Sequence, residues 1–175
     1  LAIRFNTQYS ETFVVPEPYI PKSGARIMSL QDPEKKMSKS DTNLNNIIAL
    51  LDSPDVIRKK VKRAVTDSGS KIQYDKSRPG ISNLLSIYAL ITDTSHNAVE
   101  KEFEGKLYSD FKVALGDIIV DFLVPVQKKY AEIINDKTHL ESVLSQGANN
   151  AYYRARKTLS KVYHKVGFVP NKSGL

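Results

Sequence analysis

The spacing of apolar residues divides the chain into a short mixed segment and a longer helical one. Residues 1–12 suit a short helix that ends near Ser10-Glu11. Val14-Val15-Pro16-Glu17-Pro18-Tyr19-Ile20-Pro21 follows. Its prolines lack amide donors and fix φ, which forbids a regular helix and most sheet pairing, so an extended connector is expected. Ser23-Gly24 signals a turn, and Ala25-Arg26-Ile27-Met28-Ser29-Leu30 has the composition of a short strand. Beyond residue 41 the apolar period lengthens to that of helices. Ser53-Pro54 supplies an N-cap and a first-turn proline. Ile57, Val61, Ala64 and Val65 then fall on one face, and Arg58, Lys59, Lys60, Lys62 and Arg63 cover the rest.

Thr66-Asp67-Ser68-Gly69-Ser70 reads as a loop and Arg78-Pro79-Gly80 as a second break. Ile81, Leu84, Leu85, Tyr88 and Ile91 keep helical spacing after it. A long helix is predicted from about Lys106 to Asn135. Its apolar stripe is Leu107, Phe111, Leu115, Ile118, Phe122, Val126, Tyr130 and Ile133, and Pro125 inside it predicts a kink or break. Thr138 and Glu141 form a capping-box pattern that opens a last helix. That helix carries Leu140, Val143, Leu144, Ala148, Ala151, Ala155, Leu159, Val162 and Val166, with Gly167 as its stop and 170–175 as a loose tail. The first 40 residues therefore read as a piece of an α/β unit, and the rest as an all-α bundle.

The 175 residues, 41% hydrophobic and 26% charged, suffice for a real core. The chain has no cysteine, which excludes disulfides and cysteine-based zinc sites. No apolar run is long enough to cross a bilayer, and Arg4, Asn6 and Gln8 interrupt any signal-like stretch, so a soluble cytoplasmic protein is expected. The opening Leu1-Ala2-Ile3-Arg4-Phe5-Asn6 reads as interior sequence, which predicts a fragment of a longer parent. A net charge of +7 favours a polyanionic partner such as RNA, or serves solubility alone.

The charge changes the picture at Lys36-Met37-Ser38-Lys39-Ser40. Two ammonium groups and two hydroxyls on one short segment can grip a polyphosphate, because lysine is a mobile point charge and serine donates to phosphate oxygens. The segment follows the predicted strand directly, which is where open α/β sheets bind nucleotides. A second basic group is Arg58 to Arg63, which suits either RNA backbone contact or the solvated face of a helix. A third is Tyr152, Tyr153, Arg154, Arg156, Lys157, Lys161 and Lys165, where aromatics beside arginines suit unstacked bases and phosphates, or the edge of a bundle. His96, His139 and His164 lack the spacing of a metal array, and Asp32 and Glu34 read as loop solvation, so no metal site is expected. No serine nucleophile elbow, phosphate-cradling glycine loop or defensible carboxylate pair is visible.

The letters of Lys36 to Ser40 match the KMSKS signature of class I aminoacyl-tRNA synthetases, and the flanking sequence resembles the bacterial tryptophanyl-tRNA synthetase family. The likeness includes Pro16 to Leu30, then Asp41, Asn43, Asn45-Asn46-Ile47-Ile48 and Leu50. It continues in Lys62 to Ser68, Gly80 to Leu85, Phe103 to Tyr108, Arg154 to Leu159 and Val166 to Val169. The resemblance implies the C-terminal part of an enzyme that activates tryptophan with ATP and magnesium and passes it to its tRNA. The implied fold is mainly α: the C-terminal remnant of a Rossmann-type α/β catalytic domain over 1–42, then an all-α anticodon-binding bundle over 43–169, then the tail 170–175. Lys36 and Lys39 would hold the ATP phosphates as the catalytic cations. Ser38 and Ser40 would add hydroxyl contacts, Met37 would lie at the adenine end, and Ile27 would offer its backbone to adenine. Arg58, Lys59, Lys62, Arg63, Arg154 and Arg156 are the candidate tRNA contacts. The family's His-x-Gly-His-like motif is absent. The tryptophan pocket and most of the homodimer interface belong with that motif in the missing half, so this chain by itself is expected to be inactive. The alternatives are a non-catalytic helical RNA-binding module that keeps the loop as a relic, and a structural helical domain.

Overall fold

The structure is a computed structural model and describes residues 1–21, Gly24 and 26–169. It is mainly helical. The helices are α1 (Ala2–Gln8), α2 (Pro54–Lys62), α3 (Pro79–Thr92), α4 (His96–Glu102), α5 (Tyr108–Asn135) and α6 (Lys137–Val166), with a 3-10 turn at Leu44–Asn46. The chain forms two compact units: Ile20–Ala131, and residues 1–19 together with the described residues from Glu132 onward.

The larger unit holds the core. α3 is its most buried element, because its apolar residues surround the helix rather than form one stripe. Ile81, Leu84 and Leu85 join Ile57 and Val61 of α2, Val99 of α4, and Phe111, Leu115, Ile119 and Leu123 of α5. Tyr88, Phe103 and Phe111 form an aromatic cluster with ring centroids 4.9–5.7 Å apart. Burial pushes the Tyr88 phenol up to about 12, and its hydrogen bond to the Glu102 carboxylate acts in the same direction. Each fully buried side chain of this size contributes about 1.5–3 kcal/mol. Gly80 is required where α3 begins, since a Cβ there would lie 2.5 Å from the Val65 carbonyl oxygen. The loop before α3 is tied down by Asp67, whose Oδ1 accepts from Gly69 N (2.7 Å), Arg78 Nη2 (3.1 Å) and the Tyr108 hydroxyl (3.1 Å). Burial opposes ionisation of Asp67, but these donors outweigh it and hold the carboxyl below its ordinary value.

In the smaller unit Asn6 clasps the turn after α1. Its Oδ1 accepts from the Thr12 and Phe13 amides, and its Nδ2 donates to the Phe13 carbonyl. Phe5 meets Tyr9 at a tilt of 34° and Phe13 edge-on at 79°. Lys165 of α6 donates to Thr12 Oγ1 at 2.6 Å and to the Glu11 carbonyl. Gly167 ends α6 at φ 79°, a left-handed cap that glycine adopts without strain.

Several expectations change. α1 stops at Gln8. No strand forms over 26–30; the segment makes one antiparallel bridge, Met28 with Lys36. α2 ends at Lys62, so Val65 lies beyond the helix and is exposed. The core face of α5 is Phe111, Leu115, Ile119, Val120 and Leu123, while Phe122, Val126 and Tyr130 of the expected stripe face solvent. Of the kink or break expected at Pro125, the break does not occur: α5 is continuous through it. Asp136, not Thr138, caps α6, accepting from the His139 amide at 3.0 Å, and no residue of α6 is buried. α4 and the 3-10 turn had no clear apolar period. Ser23, Ala25 and the tail 170–175 lie outside the described residues.

Candidate functional site

The Lys36–Ser40 loop hangs from a tight hairpin. Ser29 N donates to the Lys35 carbonyl at 2.8 Å, and Met37 N donates to the Ile27 carbonyl at 3.0 Å. The turn between is closed by Lys35 N to Asp32 O (2.9 Å), by Asp32 N to Ser29 Oγ (3.2 Å) and by a Lys35–Asp32 ion pair of 2.8 Å. Ile27 and Met37 are half-buried against the core of the larger unit, so the apolar members of the segment anchor it. Lys36, Ser38, Lys39 and Ser40 are left exposed.

The loop's far end is equally fixed. Asp41 N donates to the Ser38 carbonyl at 3.1 Å, and the Ser38 and Ser40 hydroxyls lie 3.0 Å apart. The Asp41 carboxylate accepts from Asn46 Nδ2 (2.8 Å) and Asn43 N (2.9 Å). These hydrogen bonds, that from Asn46 foremost, hold its carboxyl below the ordinary range. Asp32 and Asp41 are thus occupied by other partners. Among the described residues neither Lys36 nor Lys39 forms an ion pair. A loop held at both ends, with two cations and two hydroxyls left to solvent, is a ready acceptor for a multiply charged anion.

The basic positions on α2 separate into kinds. Lys59, Lys62 and Arg63 are exposed. Arg58 donates Nε to Asp117 at 2.7 Å and lies 3.9 Å from Asp55, so it enters a carboxylate pair. Its hydrogen bond to Asp117 raises its pKa. Lys60, expected on the solvated face, is buried and pairs with Asp52 at 2.6 Å. On α6, in the other unit, Arg154 and Arg156 are exposed, with the Arg156 guanidinium 6.0 Å from the Tyr152 ring centre. His96 stacks on Tyr74 at 4.3 Å. No cluster of three or more histidine and carboxylate ligands occurs among the described residues.

Two supporting residues escaped sequence reasoning. Asn83 of α3, buried, donates to the Met28 carbonyl and accepts from the Met28 amide, both at 2.9 Å. Its only signal is a polar Ser82-Asn83 pair inside an otherwise apolar run. Lys112 Nζ donates to the Ala64 carbonyl (2.8 Å) and Thr66 Oγ1 (3.2 Å) beyond the end of α2, and burial lowers its pKa.

Residues 1–124 match the profile of the tRNA synthetases class I (W and Y), and the chain belongs to that family. Curated relatives of the tryptophan type match nearly the whole chain. It is 47% identical to the tryptophan–tRNA ligase of Clostridium perfringens over 170 residues, which covers 97% of this chain and 51% of that protein. The tryptophan–tRNA ligase of Wolinella succinogenes is 48% identical over 169 residues, or 97% of this chain and 52% of that protein. The chain therefore spans about half the length of the curated relatives it matches. Among solved structures, tryptophanyl-tRNA synthetase from Mycoplasma pneumoniae superposes with a TM-score of 0.86 at 34% identity, over 96% of this chain and 51% of that one. The Campylobacter jejuni tryptophanyl-tRNA synthetase complexed with ADP and tryptophan gives 0.66 at 27% identity, over 95% and 51%. No described helix is long and apolar enough to cross a membrane.

Proposed function

We propose that this chain is the C-terminal portion of a cytoplasmic, homodimeric tryptophan–tRNA ligase, with residues 1–42 closing its Rossmann-type catalytic domain and 43–169 forming its anticodon-binding helices. The observation that carries the reading is the Lys36–Ser40 loop, anchored at both ends and presenting two cations outside any ion pair among the described residues. In the intact enzyme the tryptophan carboxylate attacks the α-phosphorus of ATP. The bond to the bridging oxygen breaks, and pyrophosphate leaves with its magnesium. Tryptophanyl-adenylate remains. A ribose hydroxyl of the tRNA then attacks its carbonyl carbon, the acyl–phosphate bond breaks, AMP leaves, and the hydroxyl proton departs with the AMP phosphate or to water. Lys36 and Lys39 stabilise the charge that builds on the departing pyrophosphate, an interaction stronger in the transition state than in the ground state. Ser38 and Ser40 donate to phosphate oxygens, while Ile27 and Met37 flank the adenine. Lys59, Lys62, Arg63, Arg154 and Arg156 meet the tRNA, with Arg58 contributing to the extent that Asp117 releases it.

The test is amino-acid-dependent ATP–pyrophosphate exchange on the intact protein, with each amino acid supplied separately. Exchange with tryptophan alone is the expected result, and exchange with another amino acid would keep the class and overturn the specificity. Residues 1–175 alone are expected to show none. No exchange by the intact protein would favour the RNA-binding module, which the exposed Tyr152, Tyr153, Arg154 and Arg156 suit.

A further inference from the structure

We infer that Asn83 is a positioning residue for the nucleotide site: its carboxamide takes the place of a neighbouring strand at Met28 and so fixes Ile27, Met37 and the loop that follows. The inference rests on the ATP reading above. An extended segment has two hydrogen-bonding edges, and alternate residues serve each. Ile27 and Ser29 use one edge, bonding to Met37 and Lys35. Met28 and Leu30 use the other. The Leu30 amide donates to the Asn46 carbonyl (3.0 Å), and the Leu30 carbonyl accepts from Val65 N (2.7 Å). Among the described residues Met28 has no backbone partner on that edge. Both of its groups are taken by one side chain, with Asn83 Oδ1 accepting from Met28 N and Asn83 Nδ2 donating to Met28 O, each at 2.9 Å.

A carboxamide carries the same donor and acceptor pair as a peptide, so it can close this edge where no strand does. Asn83 is held rigidly for the task. It is 6% exposed and flanked by buried Ile81, Leu84 and Leu85. Met28 bridges to Lys36 across the hairpin and adjoins Ile27, so a shift at Met28 is passed to both. Removing the carboxamide orphans an N–H and a C=O on the residue between the adenine-facing backbone and the first phosphate-binding lysine, and the segment must move to satisfy them.

Ser82 provides a matched control. It too is 6% exposed, and its hydroxyl makes the same pair of backbone bonds elsewhere, donating to the Asp75 carbonyl (2.7 Å) and accepting from Asp75 N (2.8 Å). In the intact protein Asn83→Ala is expected to raise the KM for ATP about tenfold while the KM for tryptophan stays within about twofold, as two lost hydrogen bonds predict. Asn83→Asp keeps the size and the acceptor but loses the donor, and should raise the KM for ATP as well. Ser82→Ala should lower the melting temperature without moving either constant. Amide hydrogen exchange, which needs no activity, should accelerate at Met28 and Met37 in Asn83→Ala and not in Ser82→Ala. An Asn83→Ala protein that melts earlier but keeps its KM for ATP would overturn the inference. If the wild-type protein gave no tryptophan-dependent exchange, the ligase reading would fall by itself. Met37 amide exchange would then decide: acceleration supports the positioning role and an unchanged rate refutes it.

Discussion

Replacing Lys60 by methionine tests whether α2 is an amphipathic helix with a fully solvated basic face or one whose cations have divided roles. Lys60 Nζ lies 2.6 Å from Asp52 Oδ2, and the two side chains are only 9% and 16% exposed. The same carboxylate oxygen accepts from Ala49 N at 2.9 Å, so the pair closes the turn that leads into α2. Lys60→Met keeps the apolar stem and leaves the Asp52 carboxylate with the Ala49 amide as its remaining donor among the described residues. Breaking one side of a buried pair costs about 3–5 kcal/mol. For a chain of this size that is a fall in Tm of roughly 6–20 °C. Asp52→Asn strands the ammonium and should cost a similar amount. The double variant should lose less than the sum, by about 1–3 kcal/mol, because Asn can still accept from Ala49. Urea unfolding followed by helical circular dichroism measures all three. A Lys60→Met loss below about 1 kcal/mol, the range of exposed pairs, together with an additive double variant, would refute the reasoning. The same variant should leave RNA affinity and its salt slope unchanged, whereas Lys59→Ala and Lys62→Ala should each reduce the slope by about one.

Lys39→Ala in the intact enzyme should lower the rate of adenylate formation by about 10²-fold or more and barely change tryptophan binding. Equal losses in single-turnover rate and tryptophan affinity would argue against a transition-state role. Phe111→Ala empties a site that is 0% exposed between Tyr88 and Phe103, and should cost about 3–5 kcal/mol in a denaturant titration. The Asp67 carboxyl is held below its unfolded value, so the stability it contributes is present above about pH 4 and is lost as pH falls through the lowered folded value. Asp67→Asn should therefore flatten the Tm-against-pH curve below about pH 4, and an unchanged acid limb would show that the Arg78 and Tyr108 contacts carry no linkage.

Much of this protein was legible as one-dimensional pattern. The helices α2, α3, α5 and α6 follow from apolar residues at helical spacing and from the breaks at Ser53-Pro54 and Arg78-Pro79-Gly80. The Lys36–Ser40 segment was visible because its chemistry lies within five consecutive residues. What distant residues supply was not visible. The 26–30 segment has the composition of a strand, but in this chain its free edge is met by Asn83, Asn46 and Val65, so no ladder forms. Periodicity along α5 and α6 marks apolar faces, yet only packing selects which are covered: α5 buries Ile119 and Leu123 rather than Phe122 and Val126, and α6 buries nothing. Charge behaves the same way. Lys59 and Lys60 are neighbours of one type, and tertiary structure alone sends one to solvent and the other to Asp52, because burial and a partner eight residues away in sequence decide what a lysine does. Local period and short motifs are properties of the sequence; which edge, face or charge is left free is a property of what folds against it.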